Sequence, residues 1–121
     1  MIELNGKTFE CSSEIPMNLI DDKWKFLILW NLREKPLRIS ELSTKIPDTS
    51  SRTITRKIKA LEEATLIERI VYPEVPPRVE YKLTIHGEKL LQVFEVMEKW
   101  GDEYAEAMGA KITPWESSCE K

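Results

Sequence analysis

Residues 67–83 constrain the fold of this chain more than any other segment. Two runs, 67–72 and 79–83, are rich in β-branched and aromatic residues and alternate, or nearly alternate, in polarity. The loop between them, residues 73–78, contains three prolines, which stiffen a connection longer than a tight turn. The segment is therefore predicted to form a β-hairpin with a long, rigid loop.

Helices are predicted before the hairpin. Pro16 suits the first position of a short helix over about residues 17–21, because its missing N–H costs nothing there. The run 23–32 is too apolar for a surface helix and should form a buried central one that ends before Pro36. This central helix is the expected main element of the core.

A helix, a turn and a second helix follow in quick succession. A helix is predicted between residues 37 and 46, because Pro47 cannot continue it. Thr49 or Ser50 is the expected N-cap of the next helix, over about residues 50–64. This order is typical of a helix-turn-helix.

The helix at about residues 50–64 is predicted to be strongly amphipathic. Ile54, Ile58 and Leu61 recur at helical spacing and should face the core. The opposite side is largely basic and hydroxylated, with Arg52, Arg56, Lys59 and Glu63 at its centre and Ser51 and Thr55 at its margin.

A last, long helix is predicted after Thr84, its expected N-cap. Its apolar stripe comprises Leu90, Phe94, Met97, Gly101, Tyr104 and Met108, widened by Leu91 and Trp100. A small domain rarely needs a helix of more than roughly twenty residues for its own core, so part of the stripe is expected to pack on a second subunit. The alternative is a monomer in which the whole stripe covers the domain's own helices.

These elements predict a single, mainly α domain with a small β-hairpin. The length of 121 residues suits one domain rather than two. We expect an N-terminal arm or short strand at 1–15, a folded domain at 16–109 and a flexible tail at 110–121.

Charge is distributed very unevenly along the chain. The net charge is −3, yet residues 23–59 contain ten basic and three acidic residues, a local charge of +7 that leaves −10 for the remainder. Such segregation indicates a basic face that could steer the molecule toward DNA, because the local field matters more than the total. Solvated helix faces would explain the same composition.

Several functional classes have no support in the sequence. No run is long and apolar enough for a membrane span and the N-terminus lacks a signal-peptide pattern, so a cytoplasmic protein with no membrane partner is expected. Cys11, Cys119 and His86 form no metal-ligand or disulfide pattern. No catalytic triad or phosphate loop is recognisable, so neither an enzyme nor a bound cofactor is expected.

The order of elements is that of a winged helix-turn-helix. Three segments, 22–30, 61–69 and above all the proline-rich 72–84, resemble the HxlR-type transcriptional regulators, relatives of the MarR group. The resemblance extends over about residues 11–101. It implies a homodimer joined by the first and last helices, which binds a roughly two-fold symmetric site on double-stranded DNA. The alternative is a protein-interaction winged helix without direct DNA readout.

The DNA-binding hypothesis assigns roles to individual side chains. The helix at about residues 50–64 is the expected recognition helix in the major groove, where its N-terminus can aim arginine at guanine while hydroxyls reach adenine edges or phosphates. Candidates for base contact are Arg52, Thr53 and Arg56. Candidates for backbone contact are Ser40, Ser51, Thr55, Lys57 and Lys59. The loop at 73–78 is the expected tip of a wing that meets the flanking groove or backbone, and Arg78 there is expected to contact a flanking minor groove or phosphate.

The resemblance also draws attention to Cys11. Several HxlR-type regulators sense electrophiles or oxidants through a cysteine about twelve residues before the lysine of a Lys-Trp pair, and Cys11 stands at that distance from Lys23. Where the family usually has Cys-Pro this chain has Cys-Ser, and where it commonly has Gly-Gly this chain has Asp21 and Asp22. Two interpretations stay open: a redox sensor responding to an oxidant or small-molecule effector, or a small hydrophobic side chain packed at the dimer seam, since acidic neighbours oppose a thiolate.

Overall fold

The computed structural model describes residues 1–111 of the chain. Its elements are β1 (Ile2–Leu4), β2 (Lys7–Phe9), α1 (Glu14–Leu19), α2 (Lys23–Asn31), α3 (Ile39–Lys45), α4 (Ser51–Glu63), β3 (Ile67–Tyr72), β4 (Arg78–Leu83) and α5 (Ile85–Ala107). The predicted C-terminal tail at 110–121 lies outside the described residues except for Ala110 and Lys111. The expected mainly α winged helix-turn-helix is confirmed.

The N-terminal segment is more ordered than an arm. β1 and β2 pair antiparallel, with Leu4 opposite Lys7. The turn residues Asn5 and Gly6 both have positive φ, 49° and 78°. That conformation is required by a two-residue type I′ turn, which strongly favours the sequence Asn-Gly. The hairpin therefore had a local sequence signal that the weak alternation of its short strands obscured.

Helix α1 begins earlier than predicted. Ser13 is its N-cap and Pro16 is its third residue rather than its first. Proline is still tolerated there, because the first N–H groups of a helix have no acceptor within the helix.

Helix α2 forms the centre of the core, as expected. Asp22 caps it by accepting a hydrogen bond from the Lys25 backbone N–H at 2.9 Å. Its last full turn, from Leu27 to Trp30, is buried. The ring of Phe26 meets that of Phe94 edge to face at 4.8 Å, which joins α2 to the long helix α5.

The wing is a regular antiparallel pair, β3 with β4, in register from Ile67 opposite Leu83 to Tyr72 opposite Arg78. Leu37 also exchanges two backbone hydrogen bonds with Tyr81, of 3.0 and 2.8 Å. These bonds fasten the base of the wing to the segment that leads into α3. The wing thus has a fixed direction relative to the helix-turn-helix.

Helix α5 begins at the predicted cap. The hydroxyl of Thr84 accepts a hydrogen bond from the Gly87 N–H. A Cβ at Gly87 would lie 2.2 Å from the carbonyl oxygen of Leu66, so only glycine fits this approach. This contact explains why the position holds glycine rather than the glutamate of a capping box.

The apolar stripe of α5 is buried only at its N-terminal end. Leu90, Leu91 and Phe94 belong to the core. Beyond Phe94 the stripe is uncovered, and Met97, Trp100, Tyr104 and Met108 are each at least half exposed. The interpretation that the whole stripe covers the domain's own helices is therefore wrong for this chain.

Candidate nucleic-acid interface

Helix α4 is held with its apolar side inward. Ile54, Ile58 and Leu61 are at most 2% exposed, as their spacing predicted. Ser50 is the N-cap, and its hydroxyl accepts a hydrogen bond from the Thr53 N–H at 3.1 Å. The hydroxyls of Ser43 on α3 and Ser51 on α4 lie 2.9 Å apart and fix the angle of the turn. The opposite face of α4 consequently points to solvent.

That opposite face carries three uncompensated cations. Arg52, Arg56 and Lys59 are exposed and lie on one side of the helix. Within residues 1–111, none of the three forms an ion pair. Their charge is therefore available to an external anion. We call these three residues the cationic face of α4.

Hydroxyl groups flank the cationic face. Thr55 donates a hydrogen bond to the backbone carbonyl of Ser51 at 2.8 Å, and Thr53 accepts one from Ser50 at 3.1 Å. Ser40 is exposed in the first turn of α3. The structure therefore brings Ser51, Thr53 and Thr55 beside the arginines, while Ser40 lies on the neighbouring helix.

Lys57 has a different environment from the one its sequence position suggested. Its ammonium donates a 2.6 Å hydrogen bond to Asp22 Oδ2, and its side chain is only 22% exposed. It therefore points toward the start of α2, away from the cationic face. We exclude Lys57 from the candidate backbone contacts. No sequence pattern predicts the Asp22–Lys57 pair, because the two residues are 35 positions apart.

The Asp22 carboxylate is stabilised at this junction. Its partial burial acts to raise its pKa, but hydrogen bonds from Lys57 and from the Lys25 N–H, together with both ammonium charges, outweigh that effect. The net result is a pKa below the ordinary value. Asp22 thus caps α2 and pairs with α4 as an anion.

Arg78 likewise differs from the expected exposed contact at the tip of the wing. Its guanidinium pairs with Glu74 at 3.1 Å and with Glu80 at 3.5 Å, and lies 3.9 Å from the centre of the Tyr72 ring. The Tyr72 hydroxyl in turn donates to Glu80 at 3.1 Å. We call these four residues the Arg78 cluster. Because Arg78 forms its ion pairs within the wing, we no longer expect it to contact phosphate directly.

The other cations of the wing are paired as well. Arg69 lies 3.9 Å from Glu62, and Lys82 lies 3.1 Å from Glu68. Residues 67–83 contain three basic and three acidic residues and therefore have no net charge. The wing is electrically neutral, in contrast to the cationic face of α4.

Cys11 is exposed, just before α1. Its Sγ lies 3.0 Å from the Ser13 hydroxyl. Hydrogen bonds from the side chain and backbone of Ser13 hold the pKa of the thiol below its ordinary value, against the opposing charge of Glu14. Within the monomer the side chain is not packed as a small hydrophobe.

Comparison with known proteins decides the family. The HxlR-like helix-turn-helix family matches residues 19–108, most of the chain. The chain belongs to this family. It is therefore a transcriptional regulator of the helix-turn-helix type and not an enzyme.

Relatives of this HxlR-like regulator come from archaea and bacteria. An uncharacterised helix-turn-helix transcriptional regulator of Methanothermobacter thermautotrophicus is 41% identical over 102 residues, which cover 84% of this chain and 78% of the relative. The transcriptional regulator YodB of Bacillus subtilis is 33% identical over 116 residues, which cover 96% of this chain and 97% of YodB.

Solved structures share the fold. Reduced YodB matches with a TM-score of 0.74 at 34% identity, over 82% of this chain and 98% of that chain. The redox regulator HypR in its reduced form matches with a TM-score of 0.75 at 28% identity, over 82% and 98% of the two chains. YodB has also been solved after diamide treatment and with quinone bound.

Residues 1–111 contain no cluster of His, Cys, Asp or Glu that could hold a metal ion. No helix in the same range has both the length and the apolar character needed to cross a membrane.

Proposed function

We propose that this HxlR-like regulator binds double-stranded DNA sequence-specifically as a homodimer, with α4 as its recognition helix. The cationic face of α4 is the observation that carries the proposal. Three exposed cations without internal partners, at the start and middle of the second helix of a helix-turn-helix, suit a helix that enters the major groove. A helix that served only as a packing element would have no need of them.

Roles within the interface follow from position along α4. Arg52, Thr53 and Arg56 lie in its first two turns and are proposed to contact base edges, with arginine directed at guanine. Lys59, one turn further, is proposed to contact phosphate. Ser40, Ser51 and Thr55 are exposed at the margin and are proposed to contact the DNA backbone.

The proposed dimer rests on the uncovered part of the α5 stripe. Trp100 and Tyr104 stack with their ring centroids 4.9 Å apart, and both rings are more than half exposed. Met17 on α1 is also 72% exposed. Large exposed apolar patches on a small domain mark interaction surfaces. A second copy joined through α1 and α5 would cover them and present two recognition helices to a two-fold symmetric site.

The test is selection of bound fragments from the source genome. We expect enrichment of sites with approximate two-fold symmetry, occupied by a dimer. Fragments without a shared motif would contradict sequence-specific binding and favour the protein-interaction alternative. A monomer bound at a single half-site would contradict the dimer alone.

A role in thiol sensing is proposed for Cys11. Cys11 is exposed, and its lowered pKa increases the fraction of thiolate, the reactive form of cysteine. The relative YodB has been solved reduced, after diamide treatment and with quinone bound, which makes oxidants and quinones the effectors to try.

Substitution of Cys11 tests this role. With Cys11→Ser, we expect diamide or quinone to leave DNA binding unchanged, while the untreated variant binds as the wild type does. The measurement is operator binding before and after treatment. A full response in the variant would remove Cys11 as the sensor.

A further inference from the structure

The tip of the wing is an exposed and mostly apolar loop. Residues 73–77 are all exposed, and Val75 is fully so. The only charged residue among them is Glu74, whose carboxylate is paired with Arg78. The side chains of three prolines and a valine have no group that binds phosphate. The loop is instead a stiff, narrow apolar projection from the end of the wing.

The Arg78 cluster holds this projection in place. Arg78 joins the loop at Glu74 to strand β4 at Glu80 and stacks on Tyr72 at the end of β3. It also pairs with Glu74, which weakens the repulsion between that carboxylate and the phosphates beside a groove. Both ends of the loop and its one charge are therefore controlled by a single side chain.

We propose that Val75 reads the minor groove that flanks each half-site by apolar contact, and that Arg78 is the residue that positions it. The inference rests on the proposed DNA binding and deepens it. The wing would then contribute to sequence preference without contributing to the ionic part of the affinity.

The chemistry of the minor groove gives this contact a preference. A·T pairs display only acceptors there, whereas G·C pairs display acceptors and the protruding 2-amino donor of guanine. An apolar side chain pairs with the acceptors of neither base pair, so the 2-amino donor of guanine is the one additional group that it would bury without a partner, which is unfavourable. Val75 should therefore disfavour G·C at the base pair it touches.

Inosine separates this effect from other sources of flank preference. An I·C pair lacks the 2-amino group in the minor groove but keeps the major-groove groups of G·C. Each base pair flanking a selected half-site is changed to A·T, G·C or I·C, and binding by the full chain is measured. At one position we expect G·C to weaken binding by about fivefold or more, the lower range for one altered base pair, and I·C to bind like A·T.

Substitutions of the exposed Val75 test whether its side chain causes the preference against G·C. Val75→Thr has nearly the same shape but a hydroxyl that can accept from guanine, so the preference against G·C should shrink to below about twofold. Val75→Ile is the matched control and should keep the preference. Neither change threatens folding, since Val75 makes no buried contact.

Arg78→Lys tests the positioning role. Lysine keeps the charge but loses the planar fork and the stacking on Tyr72. We expect the flank preference to fall while the salt dependence of binding stays that of the wild type. If Arg78 instead contacted phosphate, Arg78→Lys would leave the flank preference intact.

Two results would overturn the inference, and they differ from failure of the proposed function. Equal wild-type binding to A·T, G·C and I·C flanks would overturn it while sequence-specific binding stands. A flank preference unchanged in Val75→Thr would assign it to another residue. If the wild type shows no sequence-specific binding to any duplex, the proposed function fails and this inference fails with it.

Discussion

Helix α4 and the wing both carry basic residues, but the environments of those residues are opposite. On α4, Arg52, Arg56 and Lys59 are exposed and have no ion pair within residues 1–111. On the wing, Arg69, Arg78 and Lys82 are each paired with glutamate. The difference teaches that a count of basic residues does not distinguish the two regions, whereas the pairing of each cation does.

Removal of Arg56 should have the largest effect on DNA binding. An arginine bidentate to guanine contributes about 1–3 kcal/mol, so Arg56→Ala should weaken binding to the selected site by roughly fivefold to more than a hundredfold and relax specificity at one position. Fluorescence anisotropy on the selected duplex and its single-base variants measures both quantities. Unchanged affinity and base preference would remove Arg56 from the readout while leaving the regulator assignment intact.

Removal of Lys59 should have an intermediate and sequence-independent effect. Loss of one phosphate contact in each protomer should reduce the slope of log affinity against log salt by about two units per dimer. The matched control on the wing is Arg69→Ala, for which we expect little change in slope because Arg69 faces Glu62. Equal reductions of the salt slope in Lys59→Ala and Arg69→Ala would contradict the distinction between α4 and the wing.

Loss of the Asp22–Lys57 pair should have the smallest effect, on stability rather than readout. Asn still caps a helix, so Asp22→Asn removes mainly the ion pair, at a cost of about 1 kcal/mol. Because the folded-state pKa of Asp22 is lowered, this contribution is present above the ordinary carboxyl pKa and is lost as pH falls through the folded value. The variant and wild type should converge in acid.

Urea unfolding across pH measures that difference. Asp21→Asn is the matched control, because Asp21 is largely exposed and pairs with Lys25 on the surface; it should change stability by less than about 0.5 kcal/mol. A gap between Asp22→Asn and wild type that widens as pH falls would contradict the assigned pKa direction.

Features set by local chemistry were predictable from the sequence. The inward stripe of Ile54, Ile58 and Leu61 follows from helical period, and the caps Ser50 and Thr84 follow from residue type at helix starts. The uncovered end of α5 was also anticipated, because its stripe exceeds what one small core can bury. The stripe and the caps depend on neighbours within a few positions along the chain, and the uncovered end of α5 depends on the length of that helix.

Features set by distant partners or by strand register were not predictable. Lys57 and Arg56 are adjacent and chemically similar, yet Lys57 meets Asp22 across the core edge and Arg56 meets solvent. The partners of Arg78, namely Tyr72, Glu74 and Glu80, lie within six residues of it, but their contacts depend on the register of β3 with β4, which the alternation of residues alone does not determine. Which charges are compensated is decided by tertiary geometry.

The central claim is that the cationic face of α4, and not the wing, provides the ionic attraction to DNA. The most direct test compares two variants that each remove two positive charges per protomer: Arg52→Ala with Lys59→Ala on α4, and Arg69→Ala with Lys82→Ala on the wing. We expect the α4 variant to lose about two units of salt slope per dimer, from the phosphate contact of Lys59 in each protomer, and also to lose base preference through Arg52, whereas the wing variant should lose less than about one unit. Equal loss in both, or loss in the wing variant alone, would contradict the account.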